Sequence, residues 1–162
     1  MNQLENKKAL LNYVKCIHQK FEHSKVVNPS YYEPGMMENM DQYEGFFDSV
    51  TNIVTLRVAS KGLRYENRTS RLDNLSIGDD IVVLRDSANA YNSNNFEIFN
   101  SKKESLGMLP ADLCNALAPL VDSGYAKIVS STVSYIEPIS HRSRYAKQGV
   151  LFVELKIQFL GI

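Results

Sequence analysis

The chain has no tryptophan, only two cysteines and five prolines among its 162 residues, and no excess of either charge. Cys16 and Cys114 fall in two different expected helices, with no partner spacing. They read as reduced thiols, and no disulfide framework is available. No apolar run approaches the ~20 residues needed to span a bilayer. The first residues, Met1-Asn2-Gln3-Leu4-Glu5-Asn6-Lys7-Lys8, lack the basic-then-apolar layout of a secretory signal, so the expected location is cytoplasmic. Eighteen Lys/Arg balance eighteen Asp/Glu. Residues 1–50 carry a charge of −2 and residues 51–162 a charge of +2. Wholesale coating of DNA needs a strongly basic balance, so any nucleic-acid site here is local.

Catalytic signatures are missing too. There is no Gly-rich phosphate loop with its lysine, and no serine or cysteine with an evident base and orienting acid. Asp79-Asp80 read as a turn. Cys16 and His18, two residues apart on a helix, point about 200° apart, and the closely spaced ligand pairs of structural zinc are absent. The expectation is a non-enzymatic chain with no metal and no cofactor.

What is there divides at about residue 50. Leu10, Val14, Ile17 and Phe21 form one stripe of an amphipathic helix over residues 3–23. A segment from Asn28 to Asp48 follows, rich in Tyr31, Tyr32, Met36, Met37, Met40, Tyr43, Phe46 and Phe47. It is too apolar for a solvated linker and reads as wrapping over a surface, its own or a partner's. From residue 51 the pattern turns to strands: 53–58, 81–84, 95–99, a short apolar piece at 107–109, then 126–136 and 150–160. A helix over 110–121 opens on Pro110 and closes at Gly124, burying Leu113, Leu117 and Leu120. Short strands with an inserted helix predict a mainly β, small OB-like modified barrel over 51–162, with an N-terminal helical extension over 1–50.

The chemistry gathers in two loops. Gly62-Leu63-Arg64-Tyr65 follows the first strand, and Tyr91-Asn92 lies beyond the second. Between Arg57 and Arg71 the basic residues are Arg57, Lys61, Arg64, Arg68 and Arg71, with Glu66 the single acid. An aromatic plane beside a fixed cation suits a stacked base and its phosphate. The bland reading of Arg64 and Tyr65 is a salt-bridged turn residue beside a half-buried tyrosine. Lys61, Arg68 and Arg71 read equally as a solvated face or a phosphate track. The Asn-rich loop 89–95 reads as structural, since Asn tolerates left-handed backbone and bonds its own main chain. His141, Arg142, Arg144, Tyr145 and Lys147 form a basic hairpin tip, which would lengthen a groove if it fell near Arg64.

The order of these pieces resembles a known family. Gly62-Leu63-Arg64-Tyr65 is followed by Leu75-Ser76-Ile77-Gly78-Asp79 before Leu84-Arg85-Asp86. Next come Asn89 to Asn95, Leu106-Gly107-Met108-Leu109-Pro110 and Leu117-Ala118-Pro119-Leu120. Together they resemble the HIRAN domain over about residues 52–161, as found in SWI/SNF-type repair ATPases and in small stand-alone bacterial proteins. The resemblance implies an OB-like barrel that captures the 3′ end of single-stranded DNA, in a repair or processing setting. By the same resemblance Arg64, Tyr65 and Tyr91 hold the terminal nucleotides, and Phe152 supplies an aromatic on the last strand. Two positions depart: the family's aspartate is Asn92, and a helpful lysine falls at Ala111. The competing expectation is an adaptor, with residues 3–47 docking a protein or a second copy through the helix stripe and its adaptable methionines.

Overall fold

The computed structural model describes residues 2–27, 39–142, 144 and 146–162. Within them run β1 (Glu44–Asp48), β2 (Ile53–Ala59), β3 (Val82–Asp86), β4 (Asn95–Phe99), β5 (Ser105–Met108), β6 (Ala126–Glu137) and β7 (Val150–Phe159), with helices α1 (Gln3–Val27) and α2 (Ala111–Asp122). Three short 3₁₀ turns lie at 40–42, 68–74 and 139–141. One sheet has the order β1-β2-β7-β6 and the other β3-β4-β5. Every strand pairing among the described residues is antiparallel, so the chain is mainly β and not a doubly wound parallel fold.

Position in the sheet follows from pattern. In β2, Val54, Leu56 and Val58 are buried while Arg57 faces water, the alternation of a strand with one dry face. There Arg57 meets Glu154 across the strand pair at 2.8 Å. β7 begins with four consecutive buried residues, Val150 to Val153, and only then alternates. It is central, flanked by β2 and β6, and a continuous apolar run is what a strand covered on both faces needs.

The two sheets touch at two seams. Beyond the end of β2, Lys61 and Met108 exchange backbone hydrogen bonds of 2.9 and 3.0 Å. On the other side Asp80 bridges Thr132, supported by Val133 N–H donating to the Asp79 carbonyl at 2.9 Å. These seams close the sheets partway into a barrel around Leu56, Phe96, Ile98, Leu106 and Leu155. α2 packs on β4 and β6 with Leu113, Leu117 and Leu120 buried, as its spacing predicts. Gly124, at φ +81°, ends it, and the Tyr125 N–H closes back on the Leu120 carbonyl at 2.8 Å. Burial between these elements pushes the Cys114 thiol up to about 11.

Three of the four residues of the N-terminal stripe are spent inside the chain. Leu10, Val14 and Ile17 are buried, and α1 packs on α2 and β1. Close approach is possible because β1 presents Gly45, where a methyl group would sit 2.6 Å from the Val14 carbonyl oxygen. The Phe21 side chain, Tyr31, Tyr32, Met36 and Met37 lie outside what is described. The strands begin earlier than residue 51: Glu44–Asp48 is a strand, paired with β2 in the register Gly45 to Leu56. Tyr43 beside it is fully buried, edge-on to Phe152 at 4.8 Å between ring centres. Among the described residues no helix is long and apolar enough to cross a membrane.

Candidate nucleic-acid interface

Two loops, one from each sheet, flank an open groove of about 1110 Å³. The first leaves β2. Leu63 is buried and pins it, while Arg64 and Tyr65 on either side of the turn stand outward. Gly62 is left-handed at φ +82°, and Glu66 and Asn67 follow at φ 55° and 59°. Two successive left-handed residues that are not glycine reverse the chain sharply, an arrangement that persists only when neighbours hold it. Here the hold is side-chain: Thr69 Oγ1 donates to the Leu63 carbonyl at 2.8 Å, and Arg68 reaches back to the Gly62 carbonyl at 3.1 Å.

The second loop connects β3 and β4. Asn89 Oδ1 accepts from the Tyr91 and Asn92 N–H groups, both at 3.0 Å, and Asn92 Oδ1 accepts from the Asn94 N–H at 3.0 Å. Asn92 and Asn94 each donate to Asn115 Oδ1 on α2, at 3.2 and 3.3 Å. The loop is thus held by its own side chains and by Asn115, and no residue in it is left-handed. Its effect is to hold Tyr91 out, with the side chain 98% exposed.

Lys61, Tyr65, Arg68, Tyr91 and Asn92 all line this one groove. Arg64 is not among the lining residues but lies against Tyr65, donating from Nη2 to the phenol oxygen at 2.7 Å with its guanidinium 4.9 Å from the ring centre. Tyr65 is 53% exposed. The lining adds Glu97, which sequence reasoning passed over, and includes Glu66, Met108 and Ala111, which it named without a binding role. Glu97 was findable in part: on β4 it is the outward position between buried Phe96 and Ile98.

The structure sets several of these residues apart from an open binding face. Phe152 is fully buried, packed edge-on against Tyr43 and Tyr135 in the central strand, and offers no face to a base. Arg68 is no open phosphate contact: its side chain is 8% exposed and already bonded to Ser105, Gly62 and Glu66. Of the other basic residues, Arg71 lies against Glu104, and Arg57, outside the expected track, against Glu154. None of the described residues of the 141–147 tip lines the groove: Arg142 is tied to the Gln148 carbonyl and Glu137, and Tyr145 lies outside the described residues.

The family model for the HIRAN domain matches residues 53–151, more than half of the chain. The chain belongs to the HIRAN family. Its matched part contains both loops and the whole of the groove lining, and leaves α1 and β1 outside. Among solved structures, this HIRAN chain is similar to a protein from Lactobacillus plantarum at 21% identity. That match covers 64% of this chain and 95% of the other, with a TM-score of 0.50. The HIRAN domain of human HLTF aligns at 22% identity over 64% of this chain and 76% of its own, TM-score 0.46. An NMR structure of the HLTF HIRAN domain in its DNA-bound conformation aligns at 20% identity over 77% and 85%, TM-score 0.41. No curated protein matches the chain.

Proposed function

We propose that this HIRAN module binds single-stranded DNA and holds its 3′ end, acting by binding without chemistry of its own, in the repair or processing of DNA ends. The observation that carries the reading is the pair of outward phenol rings, Tyr65 and Tyr91, on two loops that share one groove. A tyrosine in water gains nothing there, whereas a base stacked on it gains ~1–3 kcal/mol. Arg64 uses one donor on Tyr65 and has others for a phosphate beside the stacked base. Family membership supports the same ligand class, HLTF's HIRAN domain being one recorded in a DNA-bound conformation.

Charge sets the expected character of binding. Within the lining, Lys61 and Arg68 are balanced by Glu66 and Glu97, and Arg64, beside Tyr65 but outside the lining, is the further cation. Stacking therefore carries most of the affinity, and the salt dependence is shallow. Titration with 3′-hydroxyl, 3′-phosphate and duplex oligonucleotides tests this directly. Replacing Tyr65 or Tyr91 by alanine should cost ~1–3 kcal/mol in single-strand affinity with the melting temperature unmoved. Arg64→Ala should flatten the log–log salt slope by ~0.7. A wild-type chain that binds no oligonucleotide at low salt ends the reading.

Asn92→Asp tests end recognition. The carboxylate still accepts from the Asn94 N–H, and if Asn115 and Asn94 both turn their amides, Asn115 donates to the new oxygen and to Asn94, so the loop keeps its shape. Charge-assisted hydrogen bonds exceed neutral ones by about 1 kcal/mol, so preference for a 3′-hydroxyl over a 3′-phosphate end should rise roughly fivefold. An unchanged ratio means the side chain does not face the strand's end.

A second reading, protein docking through residues 3–47, draws on a different place. The helix stripe is consumed by α2 and β1, yet Phe46 on the edge strand is 60% exposed beside a groove of about 490 Å³ that Lys8, Leu11 and Lys15 help to line. Loss of partner binding on Phe46→Ser, in a chain indifferent to oligonucleotides, would move the function to that face.

A further inference from the structure

The groove contains a buried arginine whose partners are of two kinds. Arg68 is held by the frame of the fold through Nε to Ser105 Oγ at 3.0 Å and Nη1 to the Gly62 carbonyl at 3.1 Å. Glu97 on β4 stands 3.7 Å from Nη2. The remaining partner is Glu66, whose Oε2 lies 2.6 Å from the same Nη2. Unlike the others, Glu66 belongs to the outward loop, and its side chain is 69% exposed. One guanidinium thus faces two carboxylates, one more than its charge requires.

We propose that Glu66 holds the place on Arg68 Nη2 that a backbone phosphate takes when nucleic acid enters the groove, so that the arriving strand displaces this carboxylate. The inference rests on the reading of the groove as a single-strand site and adds a phosphate position to it. Charge permits the exchange, because a phosphodiester and a carboxylate each carry one negative charge, and the buried guanidinium stays paired throughout. Geometry favours it as well. With Ser105, Gly62 and Glu97 still in place, the fork keeps its orientation after Glu66 leaves, and a pre-oriented guanidinium is well suited to phosphate. The leaving group loses little, since a carboxylate already mostly in water needs little rehydration. Both residues line the groove beside Tyr65, where a strand stacked on that ring must pass its phosphate.

The experiment pairs Glu66→Gln with strands carrying one neutral methylphosphonate linkage, moved along a short 3′-hydroxyl oligonucleotide. Glu66 is exposed, so the variant leaves the frame around Arg68 intact. With the ordinary strand the glutamine variant should bind about two- to fivefold tighter than wild type, the competition from the Glu66 carboxylate being removed. That gain should vanish when the linkage at one particular position is neutral and persist when it is neutral elsewhere. Equal affinity of variant and wild type for the ordinary strand overturns the inference while leaving the single-strand reading standing. A gain that survives neutralisation of every linkage in turn marks a general field effect and also overturns it. A wild-type chain that binds none of the strands ends both readings.

Discussion

Phe152→Ala should unfold the protein at a denaturant midpoint far below that of the wild type. The ring is fully buried in the central strand, with Tyr43 and Tyr135 set edge-on against it at 4.8 and 6.1 Å. Removing a buried phenylalanine costs ~3–5 kcal/mol through lost transfer energy and the cavity left behind. In a chain of this size that lowers the melting temperature on the order of 10 °C. Below the transition, single-strand affinity should stay near the wild-type value, because the ring does not reach the groove. A binding defect with unchanged stability would restore the aromatic to the ligand and contradict the packing described here.

Gly107→Ala should be as damaging, by a different route. Gly107 sits at φ +104°, and a Cβ there would run into the Lys61 carbonyl oxygen and the Ser60 hydroxyl. Neither can give way cheaply, since Lys61 O accepts the Met108 N–H that closes the seam and Ser60 Oγ donates to the Leu106 carbonyl at 2.6 Å. Backbone strain of ~1–3 kcal/mol adds to an overpacking cost of similar size. Gly78→Ala separates the two contributions: its φ is +93°, but nothing stands within 4 Å of the added carbon, so only the strain remains. Thermal or urea melts of both variants should differ by the collision alone. Equal destabilisation would mean that the seam yields.

Most of the barrel is legible because its strands bury one face. Alternation in β2 and β4, and the 3.6-residue spacing of Leu113, Leu117 and Leu120, are local signals that the fold keeps. β1 is not legible. Glu44-Gly45-Phe46-Phe47-Asp48 has a glycine at its second position and acids at both ends, and it becomes a strand by pairing with β2 beneath α1. Phe152 is the instructive case within the site. Val150-Leu151-Phe152-Val153 is a continuous apolar run, the mark of a strand covered on both sides, and that mark outweighs a family position. Arg68 could not be resolved from the chain at all. Its carboxylates come from positions 66 and 97, and it is the pairing around the Lys61–Met108 seam that brings β4 and β5 under the first loop. Conversely, Tyr65, Tyr91, Asn92 and Lys61 were named from loop position, and the fold places all four around one groove.

The two rings that flank the groove are mounted on different sheets, Tyr65 after β2 and Tyr91 between β3 and β4, and those sheets meet through isolated bridges. A polymer lying across both rings is therefore a rivet between halves that the backbone joins only sparsely. On the proposed reading its grip would fall on the joints where the molecule is least stitched, and occupancy and cohesion of the barrel would be coupled properties. Loosening a seam far from any contact with the ligand would be felt as a wider span between the stacking planes, and a strand of fixed rise per nucleotide would measure that span.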